Sequence, residues 1–132
     1  MADCRLAIEI LGRRVPGSVP LNALTATADF GLSALHVEGS RVHHLATFDP
    51  AKAQVTAKIN GRAVSTGSGA DVMTHPLEAA VWLANQLRRR GRGLEAGDII
   101  STGTSVGILQ VMPGQIFEAD FGTLGSVTVT FD

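Results

Sequence analysis

Among 132 residues there is a single cysteine, Cys4. That excludes an internal disulfide framework and any zinc site built from clustered cysteines, and it makes a reduced, cytoplasmic setting the expectation. No stretch approaches 18 uncharged apolar residues, so no segment reads as a membrane span. The opening MADCRLAIEILGRR mixes Asp3, Arg5 and Glu9 into its apolar residues and does not read as a signal peptide. Charge of one sign is missing too. Eleven Lys+Arg against twelve Asp+Glu leave a net charge of -1, which lacks the electrostatic footprint of a nucleic-acid binder. The local run Arg88, Arg89, Arg90 and Arg92 has no interleaved aromatics and reads as a solvated helix end. There is no G-x-S-x-G elbow, no phosphate loop ending in Lys-Ser/Thr and no dinucleotide fingerprint.

What is present is the composition of one globular domain: 45% hydrophobic and 17% charged residues, in a length that holds one core and not two. Arg5 to Leu11 reads as a short strand with Glu9 on one face. Val15 to Leu32, with Pro16-Gly17, Pro20 and Asn22, reads as loop. Residues 33 to 48 are ambiguous, with a turn expected at Gly39-Ser40. Gln54 to Ile59 alternates Val55, Ala57 and Ile59 against Gln54, Thr56 and Lys58, and Asn60-Gly61 then predicts a type I′ hairpin to Arg62–Thr66. Pro76 to Arg90 reads as the main helix. Pro76 suits its first position, His75 or Thr74 its cap, Glu78 its first turn, Arg88 to Arg90 its last and Gly91 its stop. Leu77, Ala80, Val81, Ala84 and Leu87 carry the spacing of a buried stripe. Strands are expected at Asp98–Thr102, Gln115–Phe121 and Ser126–Phe131, with turns at Met112–Gln115 and Gly122–Gly125. Many short strands around one helix give a β-rich α+β fold.

Chemistry-bearing residues are few. Glu9 sits inside an apolar run, where an unpaired buried carboxylate would be costly, so periodicity alone favours a solvated or salt-bridged face. Of the four histidines, the adjacent His43 and His44 would point to opposite faces of a strand and His36 lacks a ligand spacing, so surface roles are favoured. His75 beside Pro76 is most simply a cap. Glu118 and Asp120 share one strand face, most simply a solvated one. Gly67-Ser68-Gly69 and Thr102-Gly103-Thr104 are glycine turns.

The second half carries a more specific signal. TGSGADVMTHPLEAAVWLANQLRRRGRGLEAGDIISTGT followed by VMPGQIFEADFGTLGSVTVTF resembles the C-terminal half of the 2-keto-4-pentenoate hydratase and 4-oxalocrotonate decarboxylase group, in the fumarylacetoacetate hydrolase superfamily. The shared motifs are the H-P-L-x-A-x-x-W-L-A-N helix, L-x-A-G-D, the P-G turn and A-D-F-G-x-L-G-S-V. Residues 6 to 39 match more loosely, with LAIEIL resembling the family's A-I-E-I strand and Thr27 to Gly39 its A-D-N-A-S-S-G-G loop. The resemblance implies a mixed β-sandwich or β-roll with one main helix, about 76–90, and a single domain over 1–132 that lacks the family's N-terminal half. It also implies a chemistry in which Mg²⁺ or Mn²⁺ chelates a small 2-oxo or dienol acid and stabilises enolate charge.

By that resemblance Glu9 matches a metal carboxylate, and Asp29 and Ser33 match the pocket loop, where Phe30 and Leu32 replace polar residues. Thr104 joins Phe30, Leu32 and Ser33 as a substrate-binding candidate. The family's E-x-E metal pair and catalytic lysine are absent, and no E-x-E occurs in the chain. Three readings follow. The chain is the C-terminal half of a split hydratase or decarboxylase that needs a complementary chain. Or it is a metal-free enzyme, isomerising, dehydrating or cyclising a biosynthetic intermediate in an apolar pocket, with Asp29, His36 or His75 as acid or base. Or it is a non-catalytic binding module. A homo-oligomer, with neither nucleic acid nor membrane as partner, is expected.

Overall fold

The computed structural model describes residues 3–42 and 48–132; the paired His43 and His44 lie outside them. Strand β1 (Arg5–Leu11) runs antiparallel to β2 (Ser33–Arg41), with Ile8 opposite Val37, Glu9 opposite His36 and Ile10 opposite Leu35. Because side chains alternate across a strand, Leu6 and Ile8 are buried while Arg5 and Glu9 are exposed. β2 settles the first part of the ambiguous stretch, up to Arg41, and it runs straight through Gly39-Ser40 where a turn was expected. Gly39 is there for packing: a Cβ on it would stand 2.3 Å from Val127 Cγ2.

The second sheet starts from the hairpin of β3 (Gln54–Ile59) and β4 (Arg62–Ser68). Asn60 and Gly61 have φ of 50° and 77°, the two left-handed positions that a type I′ turn needs. β5 (Ile116–Asp120) pairs with the other side of β3, and β6 (Ser126–Thr130) with β5, giving the order β4-β3-β5-β6, antiparallel throughout. Val55, Ala57, Phe117, Ala119 and Val127 from this sheet meet Leu6, Ile8 and Val42 in one core. The two sheets therefore stand or fall together, since a two-stranded sheet is at best marginal alone.

Two helices lie outside that core. α1 (Ala23–Ala28) corrects the expected loop: Asn22 Oδ1 accepts the Leu24 and Thr25 N–H groups at 3.0 Å each, and Thr25 Oγ1 accepts the Asn22 N–H at 3.0 Å. This reciprocal cap starts a helix that has no apolar periodicity to announce it. α2 (Pro76–Arg89) keeps its expected bounds, with His75 Nδ1 accepting the Leu77 N–H at 3.1 Å and Gly91 left-handed beyond its end. Its apolar stripe is not buried as expected. No α2 residue is buried, because strand side chains already close the core and the helix stands outside it. The strand expected at Asp98–Thr102 does not form either. The segment has strand-like residues but pairs its backbone with no strand edge among the described residues, and Ile99 is 72% exposed.

Candidate active site

The outward face of β1 and β2 presents Glu9 and His36 as direct cross-strand neighbours. At such a pair the Cβ atoms are about 5 Å apart, so a carboxylate and an imidazole can act on one small molecule. Ser101, in the 98–102 segment, donates its hydroxyl to Glu9 Oε2 at 3.3 Å. That contact brings the chain after α2 over β1. Thr104 follows three residues on, within about 10 Å along the chain, and its hydroxyl is engaged in its own turn, donating to the Gly107 carbonyl at 2.9 Å.

The loop leading into β2 is tightly specified. Asp29 is only 3% exposed. Its Oδ2 accepts the Arg14 N–H at 2.9 Å, and its Oδ1 accepts from Arg14 Nη1 at 3.3 Å. The Arg14 main-chain N–H, with its guanidinium alongside, holds the Asp29 carboxyl below the usual aspartate range against the opposing effect of burial. The same guanidinium donates to the Ser33 carbonyl and lies 5.6 Å from the Phe30 ring centroid. Between those anchors Phe30, Gly31 and Leu32 are all left-handed, with φ of 55°, 66° and 66°. Two non-glycine residues in that region are strained, and the Arg14 contacts are what hold the loop in place. Phe30 is consequently presented to solvent, 77% exposed.

His75 lies apart from these groups, in the cap of α2, with Nε2 3.4 Å from Asp49 Oδ1. On the outer face of β3 and β5, Lys58 bridges Asp120 at 2.7 Å and Glu118 at 3.3 Å. The two carboxylates do share one face, as their spacing requires, and a single lysine bridges them. Arg14 and Ser101 were invisible to sequence reasoning. Each acts on a residue far along the chain, 15 and 92 positions away, and no local pattern marks such contacts.

A hard divalent ion takes six or more oxygens, several of them from carboxylates. Among the described residues no group of three or more His, Cys, Asp or Glu stands close enough to hold one. Glu9 is a single carboxylate ligand, so this chain's described residues do not complete a magnesium-type site by themselves.

The family description "Fumarylacetoacetate (FAA) hydrolase C-terminal" matches residues 28–132. The chain belongs to the fumarylacetoacetate hydrolase family. Within it, the chain is 36% identical over 125 residues to the TodF product hydratase of Pseudomonas putida F1, covering 95% of this chain and 46% of that protein. It is 33% identical over 126 residues to the 2-keto-4-pentenoate hydratase of Paraburkholderia xenovorans, covering 96% and 46%. Its fold superposes with a TM-score of 0.89, at 30% identity, on the 4-oxalocrotonate decarboxylase of Pseudomonas putida G7 complexed with magnesium and adipate, covering 97% of this chain and 48% of that one. The chain thus spans about half the length of the relatives it matches. The strand-rich α+β architecture with one main helix is that of the family's C-terminal fold.

Proposed function

We propose that this chain supplies the C-terminal half of a hydratase- or decarboxylase-type lyase site for a small 2-oxo or 2-hydroxydienoic acid, completed by a complementary chain. One observation carries the reading: Glu9 stands on an open strand face beside His36 and Ser101, in a chain that spans about half of each relative. Glu9 is the residue that would meet Mg²⁺ or Mn²⁺, and the remaining carboxylates and the lysine would come from the complementary half. His36, the cross-strand neighbour of Glu9, would exchange a proton with a molecule bound there. Asp29 has both oxygens engaged by Arg14; its part is to hold the loop that offers Phe30, Leu32 and Ser33 to the substrate. His75 and Thr104 are peripheral in this reading, His75 as a helix cap and Thr104 as a turn. A cytoplasmic setting fits the single, partly buried Cys4.

The exposed Phe30 favours a second reading, a metal-independent enzyme with an apolar pocket for a larger intermediate. Calorimetric titration with Mg²⁺ in the presence of oxalate separates the two. It is run on this chain alone and on this chain mixed with the half of the TodF product hydratase that it does not span. Binding heat in the mixture that Glu9→Gln abolishes is the expected result. Heat indifferent to Glu9→Gln would sink the proposal, and turnover that survives a chelator would favour the second reading.

A further inference from the structure

Side chains at directly opposed positions of an antiparallel pair share one face of the sheet. Leu35 stands opposite Ile10, and the next pair on that face is Val37 opposite Ile8. Leu35 therefore belongs to the side that builds the core, where Ile8, Ile10 and Val37 all pack. It is nevertheless 63% exposed. At Gly39, four residues on, β2 is in close contact with Val127 of β6, so the core lies toward that end and stops short of Leu35. Other uncovered apolar side chains gather where Leu35 does, around the end of β1. The Gly12 N–H donates to the Leu32 carbonyl at 2.8 Å, and Asp29 is held by Arg14. Those contacts tie the segment that carries Leu24, 83% exposed, and Phe30 to the end of β1. The Ser101 hydroxyl on Glu9 brings the exposed Ile99 toward the other face of the same sheet. Arg13 donates to the Pro16 and Val19 carbonyls and meets no carboxylate among the described residues.

We infer that this end of the β1–β2 sheet is the seat of the complementary chain, which covers Leu24, Leu35 and Ile99 as it completes the site at Glu9. The inference rests on the proposed lyase reading and adds to it the contact surface and the chemistry of the partner. The relatives are about twice as long as this chain, so a half of comparable size is the occupant to be seated. A chain that reaches Glu9 must pass this end. Glu9 and His36 occupy the positions next to Ile10 and Leu35 along the two strands, on the opposite face. Wrapping the end of the sheet therefore buries Leu35 on one side and meets Glu9 on the other. The matching surface is apolar, with a carboxylate set against Arg13. Removing Leu24, Leu35 and Ile99 from water supplies the driving force, and it accounts for an apolar patch that a monomer rarely leaves open. Phe30, between Leu24 and Leu35 in the chain, lies at the border of contact and site.

The test is co-expression of this chain with the half of the TodF product hydratase that it does not span, then sedimentation of the purified complex over a dilution series. It needs neither metal nor turnover. A complex of the two chains is expected, and Leu35→Asp and Ile99→Asp should each weaken it at least about tenfold. Leu24→Asp and Arg13→Glu should weaken it in the same sense. Val64→Asp should leave it unchanged. Val64 is exposed too, but it lies on β4, at the edge of the larger sheet farthest from β6. The substituted side chains are exposed, so far-ultraviolet circular dichroism should show every variant folded. A complex that ignores Leu24→Asp, Leu35→Asp and Ile99→Asp overturns this inference and leaves the proposed reading standing. The absence of any complex overturns both. Self-association of this chain that Leu35→Asp abolishes also overturns the inference, by assigning this end to a second copy.

Discussion

At the scale of single residues the pair Asp29 and Arg14 concentrates the most consequence in the fewest atoms. The carboxylate is almost fully enclosed, and the loop it anchors has three successive left-handed residues. A buried carboxylate is tolerated when its lone pairs are satisfied by a charged partner and main-chain donors. Here the Arg14 N–H is the leading donor and its guanidinium the second. Since the folded carboxyl titrates below its unfolded value, its contribution to stability is present above the ordinary aspartate range. It is lost as the pH falls through the lowered, folded value. Asp3, held down by Arg41, and Asp120, held down by Lys58, act in the same direction. Asp29→Asn keeps the shape and removes the titration, so its melting temperature should fall less steeply than the wild type's on the acid side. An unchanged slope in thermal melts between pH 2 and 5 would assign the acid loss to Asp3 and Asp120. Arg14→Met should leave the main-chain hydrogen bond in place but free Phe30 and the Ser33 carbonyl, loosening the loop before the sheets. Hydrogen exchange of the 29–33 amides would register it.

At the scale of elements the β3–β4 hairpin depends on Asn60 more than its turn type requires. Beyond its left-handed φ, Asn60 Oδ1 accepts the Ile116 N–H at 2.8 Å and its own N–H donates to the Ile116 carbonyl at 2.9 Å, tying the turn to β5. Asn60→Ala should therefore cost more than a turn substitution alone, by about 0.5–1.5 kcal/mol, because the solvent-exposed Ile116 N–H exchanges its acceptor for water. Asn60→Asp, which keeps an acceptor oxygen, should recover most of it in denaturant melts. This hairpin was legible in the sequence because alternation and turn chemistry are local, as were the bounds of α2, β5 and β6. α1 was not, since six residues held by an Asn22 and Thr25 cap leave no periodic trace. Asp98–Thr102 misled for the opposite reason: its composition suits a strand, but a strand exists only where another edge receives it. In the candidate site, Glu9 stood out as an oddity in an apolar run and through family resemblance. His36 was named as well, but not as its neighbour, because the register that sets His36 opposite Glu9 is decided by how β1 and β2 pair.

For the whole molecule the question is whether the sheet that carries Glu9 and His36 has any stability of its own. Leu6 and Ile8 on β1 share their core with Val55, Ala57, Phe117 and Val127 of the larger sheet. At the closest approach Gly39 of β2 leaves just the room that Val127 of β6 fills. Adding one methyl at Gly39 must push Val127 aside or part the sheets. The φ of Gly39 lies outside the left-handed region, so the effect is packing alone. Gly39→Ala should cost about 1–3 kcal/mol, in the range of overpacked cores. Truncating the obstructing side chain should offset that, so Gly39→Ala with Val127→Ala should cost less than the sum of the two single changes, by on the order of 1 kcal/mol. Additive costs would mean that the sheets do not meet at this contact. With the coupling in place, unfolding of Gly39→Ala should remain one transition, and amides of β1 and of β5 should exchange with the same free energy. A β1–β2 sheet that opened earlier would mean instead that the Glu9 face takes its order from a partner.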